Sequence, residues 1–178
     1  MPMRLISERG GYSRLMPGFG TELNWRPYVG AAIAVAAAAA TGAAAVDTNS
    51  AWYRELPKPP WQPPSWVFPT VWTPLYATIA WSAGRTWNRA SEPERRNLVV
   101  ALTVNLTLNA AWSWSFFAAR SPRAGLASNL LLDVSNLHVI RTVSRSDRRG
   151  TAALLPYAAW CWYATALSAA IVQHDRRP

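Results

Sequence analysis

Acidic residues, histidine, lysine and cysteine are all scarce in this sequence, with nine Asp and Glu, two His, one Lys and one Cys in 178 residues. The single cysteine, Cys161, excludes an intrachain disulfide framework and a cysteine-held metal cluster. In an apolar helix it reads as a small core side chain. His138 and His174 are far apart, and no HExxH, CxxC, GxSxG or glycine-rich phosphate loop occurs. The familiar zinc, thiol, serine and nucleotide chemistries therefore have no residues to run on, and no metal site is expected. Charged side chains amount to 15% and hydrophobic ones to 51%, too little charge to clothe a soluble surface. The mean hydropathy of −0.02 obscures this, because it averages arginine-bearing loops with apolar runs and scores Trp and Tyr as polar.

Positive charge, by contrast, is abundant, with a net charge of +9 at pH 7. The basic residues are almost all arginine and stand in short groups between apolar runs. Nucleic acid binding calls for a stripe or a basic helix, so no nucleic acid partner is expected. The runs between the groups are long enough to cross a bilayer as helices. Five are expected: Tyr28–Val46, Trp66–Asn88, Asn97–Ala119, Ala124–Val143 and Gly150–His174. The fold class is therefore an all-α integral membrane bundle of five transmembrane helices, with a soluble all-helical domain as the competing fold. Residues 1–26 read as a flexible basic arm, 27–174 as the membrane domain and 175–178 as a short basic tail. A cleaved signal peptide fits poorly, because its removal would discard the first span. Lys and Arg alternate between the polar segments, with twelve on the side of the N-terminus and six on the other. The positive-inside bias then places the N-terminus in the cytoplasm and the first loop, 47–65, outside.

That loop is dense in proline, with Pro57, Pro59, Pro60, Pro63 and Pro64, which describe a stiff, shaped connection. Pro69 and Pro74 then fall in the first turns of the second span. In the first span Gly30, Ala34, Ala38 and Gly42 stand four apart, a small-residue face suited to close helix packing or dimer formation, or simple filler. Asn105, Asn109, Trp112 and Phe116 form one stripe on the third span. Tyr157, Trp160, Ala164 and Ser168 form another on the fifth, and Trp72 and Tyr76 add a third surface. Together they suggest an apolar pocket with a few polar handles near the proline loop, fitted to a bulky amphipathic ligand. Trp25, Trp52, Trp66 and Trp87 read instead as anchors at the membrane interface. On the fourth span Asn129, Asp133 and Asn136 share a face. The mid-membrane Asp133 is either a functional group or a hydrogen-bonding partner for another helix. Either histidine would reach haem iron only if it faced the pocket.

The residues Trp52-Tyr53, Leu56, Lys58-Pro59, Trp61, Pro63-Pro64, Phe68, Val71-Trp72-Thr73 and Leu75-Tyr76 carry a specific pattern. Leu108-Asn109, Trp112-Ser113 and Phe116-Phe117 extend it in the third span, and Pro156-Tyr157 with Trp160 in the fifth. Over about residues 28–173 the chain resembles the tryptophan-rich sensory protein family, also called the translocator protein or peripheral-type benzodiazepine receptor family. The resemblance implies a five-helix bacterial cell-membrane protein, commonly a homodimer, that binds porphyrin or haem as ligand and requires no cofactor. It implies a ligand pocket at Tyr53, Trp72, Asn109, Trp112, Ser113, Trp160 and Ala164, to which the fifth-span stripe adds Tyr157. The first loop would act as its lid. The implied role is a sensor or regulator of tetrapyrrole metabolism and stress response. Alternatives are light- and oxygen-dependent protoporphyrin IX degradation, for which Trp72 and Trp160 would be catalytic, and transport of porphyrins or other hydrophobic molecules.

Two departures from the family pattern stand out. Asn105 replaces a usual glutamine, and Ser168 replaces an amide in the fifth helix. No sterol-recognition pattern ends the last helix, so cholesterol is a poor expectation.

Overall fold

The computed structural model describes residues 24–175. Most of the expected basic arm at 1–26 and of the tail at 175–178 lies outside these residues. Six α-helices follow in order: α1 Arg26–Ala43, α2 Ala51–Glu55, α3 Val67–Trp87, α4 Glu92–Ser113, α5 Pro122–Ser144 and α6 Arg148–His174. A π-helical turn, Trp114–Ala118, ends α4. The five long helices are the five expected spans, displaced at their ends by a few residues. The short α2 was not expected. It lies inside the stiff, proline-dense first loop, 47–65, where the residues preceding the prolines wind one turn with Ser50 accepting from the Tyr53 N–H.

Local chemistry explains the helix boundaries. Pro122 and Pro93 sit in first turns, where a missing N–H costs nothing. Ser121 caps α5 by accepting from the Ala124 N–H, and Asp147 caps α6 by accepting from the Arg149 N–H. At the start of α4 the Glu94 carboxylate accepts from the Ser91 backbone N–H at 2.8 Å. Arg120, exposed and at φ 50°, turns the chain between the π-helical turn and α5.

The long helices close into a ring. α1 packs on α3 and α4, α4 on α5, α5 on α6, and α6 on α3. At the arginine-rich end the core contains Ile79, Leu98, Val143 and Leu154, each at most 2% exposed. There the Asp147 carboxylate meets the Arg85 guanidinium at 2.7 Å, tying the start of α6 to the end of α3. At the opposite end a second core joins Tyr53 and Leu56 of the first loop to Phe116, Leu167 and Ile171.

The outside of the ring carries large apolar side chains, including Ile33, Val100, Leu131, Val134 and Trp162, all more than half exposed. So much exposed hydrocarbon suits lipid and not water. Among the described residues, only α6 is long and apolar enough to qualify as a span by length and mean hydropathy alone. The other spans are diluted by proline, tryptophan, hydroxyls and amides, and by charged residues in their end turns. Asp133 is the sole charged residue in the middle of any of them.

Close helix approach depends on Gly84. A Cβ there would lie 2.5 Å from Tyr28 Cγ and 2.7 Å from Tyr28 Cα, and the second of these atoms is backbone that cannot swing away. Gly84→Ala should therefore destabilise the bundle by about 1–3 kcal/mol. Gly30→Ala, whose Cβ meets nothing within 4 Å, should leave stability close to wild type. Thermal unfolding in detergent checks both; equal melting of the two variants would contradict the α1–α3 packing.

Candidate functional site

Polar side chains inside the ring are joined into one relay. The Tyr76 hydroxyl donates to Asn109 Oδ1 at 2.9 Å, and Asn109 Nδ2 donates to the Tyr157 hydroxyl at 3.3 Å. Tyr157 in turn donates to Asn105 Oδ1 at 2.9 Å. Asn105 Nδ2 donates to Asn136 Oδ1 at 2.7 Å and to Ser135 Oγ at 3.2 Å. Four helices, α3, α4, α5 and α6, are thereby linked through groups that have no water to turn to. Asn105 is 1% exposed. Its side chain, shorter than the glutamine of the resembling family, still reaches two residues of α5.

Towards the proline loop the relay is covered by aromatic rings. Trp72 stacks on Tyr76 at 5.1 Å between centroids and meets Tyr157 edge-on at 6.1 Å. Trp160 stacks on Tyr163 at 5.2 Å and meets Phe68 at 6.0 Å. Trp112 stacks on Phe116 at 5.9 Å, and Phe116 is also met by Trp52 of α2. The π-helical turn helps to present this surface. Its extra residue shifts the register at the end of α4, and Phe116 and Phe117 both pack beneath the loop, against Trp52 and Tyr53 respectively.

The loop is tied down as a lid. Lys58 Nζ donates to the Tyr53, Arg54 and Leu56 carbonyls, closing the C-terminus of α2, and lies 4.4 Å above the Tyr53 ring. Gln62 Nε2 donates to the Tyr53 hydroxyl at 3.1 Å. Across the gap to α6, the Tyr163 hydroxyl donates to the Trp61 carbonyl at 3.2 Å.

Three polar atoms in this region are buried without a partner: Trp112 Nε1, Trp160 Nε1 and Gln62 Oε1. Buried donors and acceptors are nearly always satisfied, so two idle indole N–H groups and an idle amide oxygen in one aromatic region call for an explanation. Gln62 was not singled out from sequence, since it belongs to no periodic stripe, and Lys58 entered only as part of the family pattern.

Not every expected pocket residue shares this surroundings. Tyr53, Trp72, Asn109, Trp112, Tyr157 and Trp160 belong to the relay or to the rings above it. Ser113 is buried beside α1, with its Oγ 3.3 Å from where a Gly42 Cβ would stand. The Ala164 carbonyl accepts from Asn129 Nδ2 at 3.3 Å, and the same amide donates to Ser168 at 2.9 Å, so this part of α6 is engaged by α5. Asp133 accepts from Thr165 at 2.7 Å, a bond between helices as one of its two readings required. The histidines stand apart from the rings. His138 is exposed on α5, and His174 Nδ1 lies 2.7 Å from the Ala170 carbonyl of its own helix. Cys161 is buried mid-way along α6, in the core that also holds Tyr157. Neither histidine offers an iron ligand within the aromatic cluster, whose idle polar atoms are two indole N–H groups and an amide oxygen.

The order of motifs, the ring of five spans and the lidded aromatic cluster agree with a match to the TspO/MBR family over residues 30–174. The chain belongs to the TspO/MBR family. It is 33% identical over 123 residues to the tryptophan-rich protein TspO of Chlorobaculum tepidum, covering 68% of this chain and 78% of that one. Similarity to the protein CrtK of Rhodobacter capsulatus is 34% identity over 137 residues, 76% of this chain and 84% of that protein. The human translocator protein is 36% identical over 121 residues, covering 66% and 70% respectively. This family member thus shares its matched region with bacterial and animal membrane proteins.

Burial raises the Tyr53 phenol above its ordinary value of 10.0, and the hydrogen bond from Gln62 offsets part of that rise. A raised acid pKa in the closed lid means that the stabilising contribution is complete below about pH 10 and is lost as pH climbs through the higher folded value. A phenolate absorbance titration of wild type minus Tyr53→Phe should show one step with its midpoint above 10.0. A midpoint at or below that value would contradict a buried, closed lid.

Proposed function

We propose that this chain is a membrane receptor for a tetrapyrrole, acting as a sensor or regulator of tetrapyrrole metabolism. The observation that carries the reading is the set of idle polar atoms, Trp112 Nε1, Trp160 Nε1 and Gln62 Oε1, in a region walled by aromatic rings. A flat macrocycle offers π faces to Trp72 and Trp160. Its carboxylates or carbonyls accept from the indole N–H groups, and its pyrrole N–H donates to the Gln62 oxygen. No histidine stands among the cluster's side chains, which favours a free-base porphyrin over a histidine-ligated haem.

The rings now touch one another, so a ligand enters only by displacing the lid and separating them. Binding is then coupled to the contacts that Tyr53, Lys58 and Gln62 make, and the loop reports occupancy to the membrane face it covers. By the arginine bias that face is external. Exposed Arg54, Arg120 and Arg123 stand at the same end and complement propionate groups. In this reading Tyr53, Trp72, Asn109, Trp112, Tyr157 and Trp160 form the binding set. Ser113 and Ala164 act from behind it, by setting the approach of α1 and α5.

A second reading, light-dependent oxidation of the bound porphyrin by oxygen, is favoured by the stacked Trp72–Tyr76 and Trp160–Tyr163 pairs. Each pair places an oxidisable phenol against an indole. In that chemistry porphyrin and oxygen carry the reaction, and the paired rings supply and replace electrons. Transport, which the name of the human relative suggests for that protein, draws on the same site with flux across the bilayer added.

Titrating purified protein with protoporphyrin IX should quench tryptophan fluorescence saturably. Trp112→Phe, Trp160→Phe and Gln62→Leu should each weaken binding by about 3–10-fold, the worth of one hydrogen bond. Wild-type affinity in all three variants would overturn the site. Protein-dependent product formed only under light and oxygen would select the oxidative reading, and accumulation inside sealed vesicles the transport reading.

A further inference from the structure

A separate groove opens on the flank of the bundle, where α1, α3 and α4 meet. Its volume is ≈ 450 Å³, and Asn24, Arg26 and Trp87 stand at its mouth on the arginine-rich end. Towards its inner end it is lined by Ala34, Val35, Ile79 and Leu106, with no charged group. The groove exists because α1 lacks bulk here: a Cβ on Gly30 would touch nothing within 4 Å. Exposed Val29, Ile33 and Val99 flank it, so it faces the acyl region of the bilayer.

Its length fits one leaflet. From Arg26 to Val35 on α1 is nine residues, about 14 Å of helix, and half of a bilayer's hydrocarbon core is about 15 Å. Charge fits as well. Arg26 is exposed at the mouth, and the Arg95 guanidinium lies 5.4 Å over the Trp87 ring beside it. Arg89, Arg96, Arg145, Arg148 and Arg149 are exposed at the same end of the bundle. A basic entrance leading to an apolar channel one leaflet deep has the polarity profile of a single phospholipid.

We propose that the α1–α3–α4 groove is a binding site for an anionic phospholipid, holding one acyl chain along Gly30 and Ala34 with the headgroup at Arg26. This site is distinct from the aromatic cluster under the lid and independent of what that cluster binds. Bound lipid would fill the notch beside α1, the helix of weakest intrinsic hydrophobicity, and so hold it against α3 and α4.

Native mass spectrometry of the full chain tests this, with delipidated protein offered equal amounts of phosphatidylglycerol and phosphatidylcholine. The expected result is one tightly retained lipid per chain, with the anionic lipid preferred by about fivefold. Arg26→Gln should erase most of that preference, and Gly30→Leu, which fills the groove, should abolish tight retention of either lipid. Equal retention of the two lipids by wild type overturns the proposal, as does an unchanged anionic adduct in Gly30→Leu. Conversion of a dimer to a monomer by Gly30→Leu, with the adduct unchanged, would make the groove a seam between two copies and also overturn it. If Gly30→Leu fails to fold, Arg26→Gln, altered at an exposed position, decides alone: an unchanged preference overturns the assignment.

Discussion

The Tyr157 hydroxyl is the joint on which the interior depends. It donates to Asn105 and accepts from Asn109, so one oxygen fixes two turns of α4 against α6. Asn105 passes the connection to α5, and Asn109 passes it to α3 through Tyr76. Hydrogen bonds between membrane helices average only about 0.6 kcal/mol, so the relay is not a large store of stability. Its effect is positional. A buried amide that slips out of register must leave a donor and an acceptor bare in an apolar interior, and few alternative packings avoid that.

Everything nearer the lid inherits this register. Trp72 rests on Tyr76 and against Tyr157, both members of the relay, so its ring plane is set from below. The π-helical turn begins one residue after Ser113, where α4 has passed the relay, and packs Phe116 and Phe117 under α2. The lid then closes over rings whose positions are already fixed. At the other end, the Arg85–Asp147 pair and the Gly84–Tyr28 contact hold the helices close. That leaves adaptability to the lid end, where the idle indole N–H groups are.

Much of this was legible in the sequence, for identifiable reasons. Spans bounded by arginine groups are a coarse, strong signal, and they located the five long helices to within a few residues. The i, i+4 spacing of Asn105 and Asn109 placed both on one face, although spacing could not say that Tyr157 lay between them. Asp133 was narrowed to two readings, and Thr165 provides the helix-to-helix partner of one. What escaped has physical causes too. α2 is five residues long and abuts a proline run, so no periodicity can develop. The π-helical turn has no compositional mark in the uncharged stretch WSFFA. Ala164 lies on the expected fifth-span stripe and Ser113 came from the family resemblance alone, and neither signal could show that the two positions meet α5 and α1. The flank groove arises from missing side-chain bulk, which a search for functional groups passes over.

The claim at the centre of this account is that the relay positions the ligand-binding rings. Tyr157→Phe tests it most directly, since it removes one oxygen and keeps the ring that Trp72 packs against. Protoporphyrin IX affinity and thermal unfolding, measured on the same detergent preparation, should both change: weaker binding by about 3–10-fold together with a lower melting temperature. Wild-type affinity and an unaltered melt in Tyr157→Phe would contradict it.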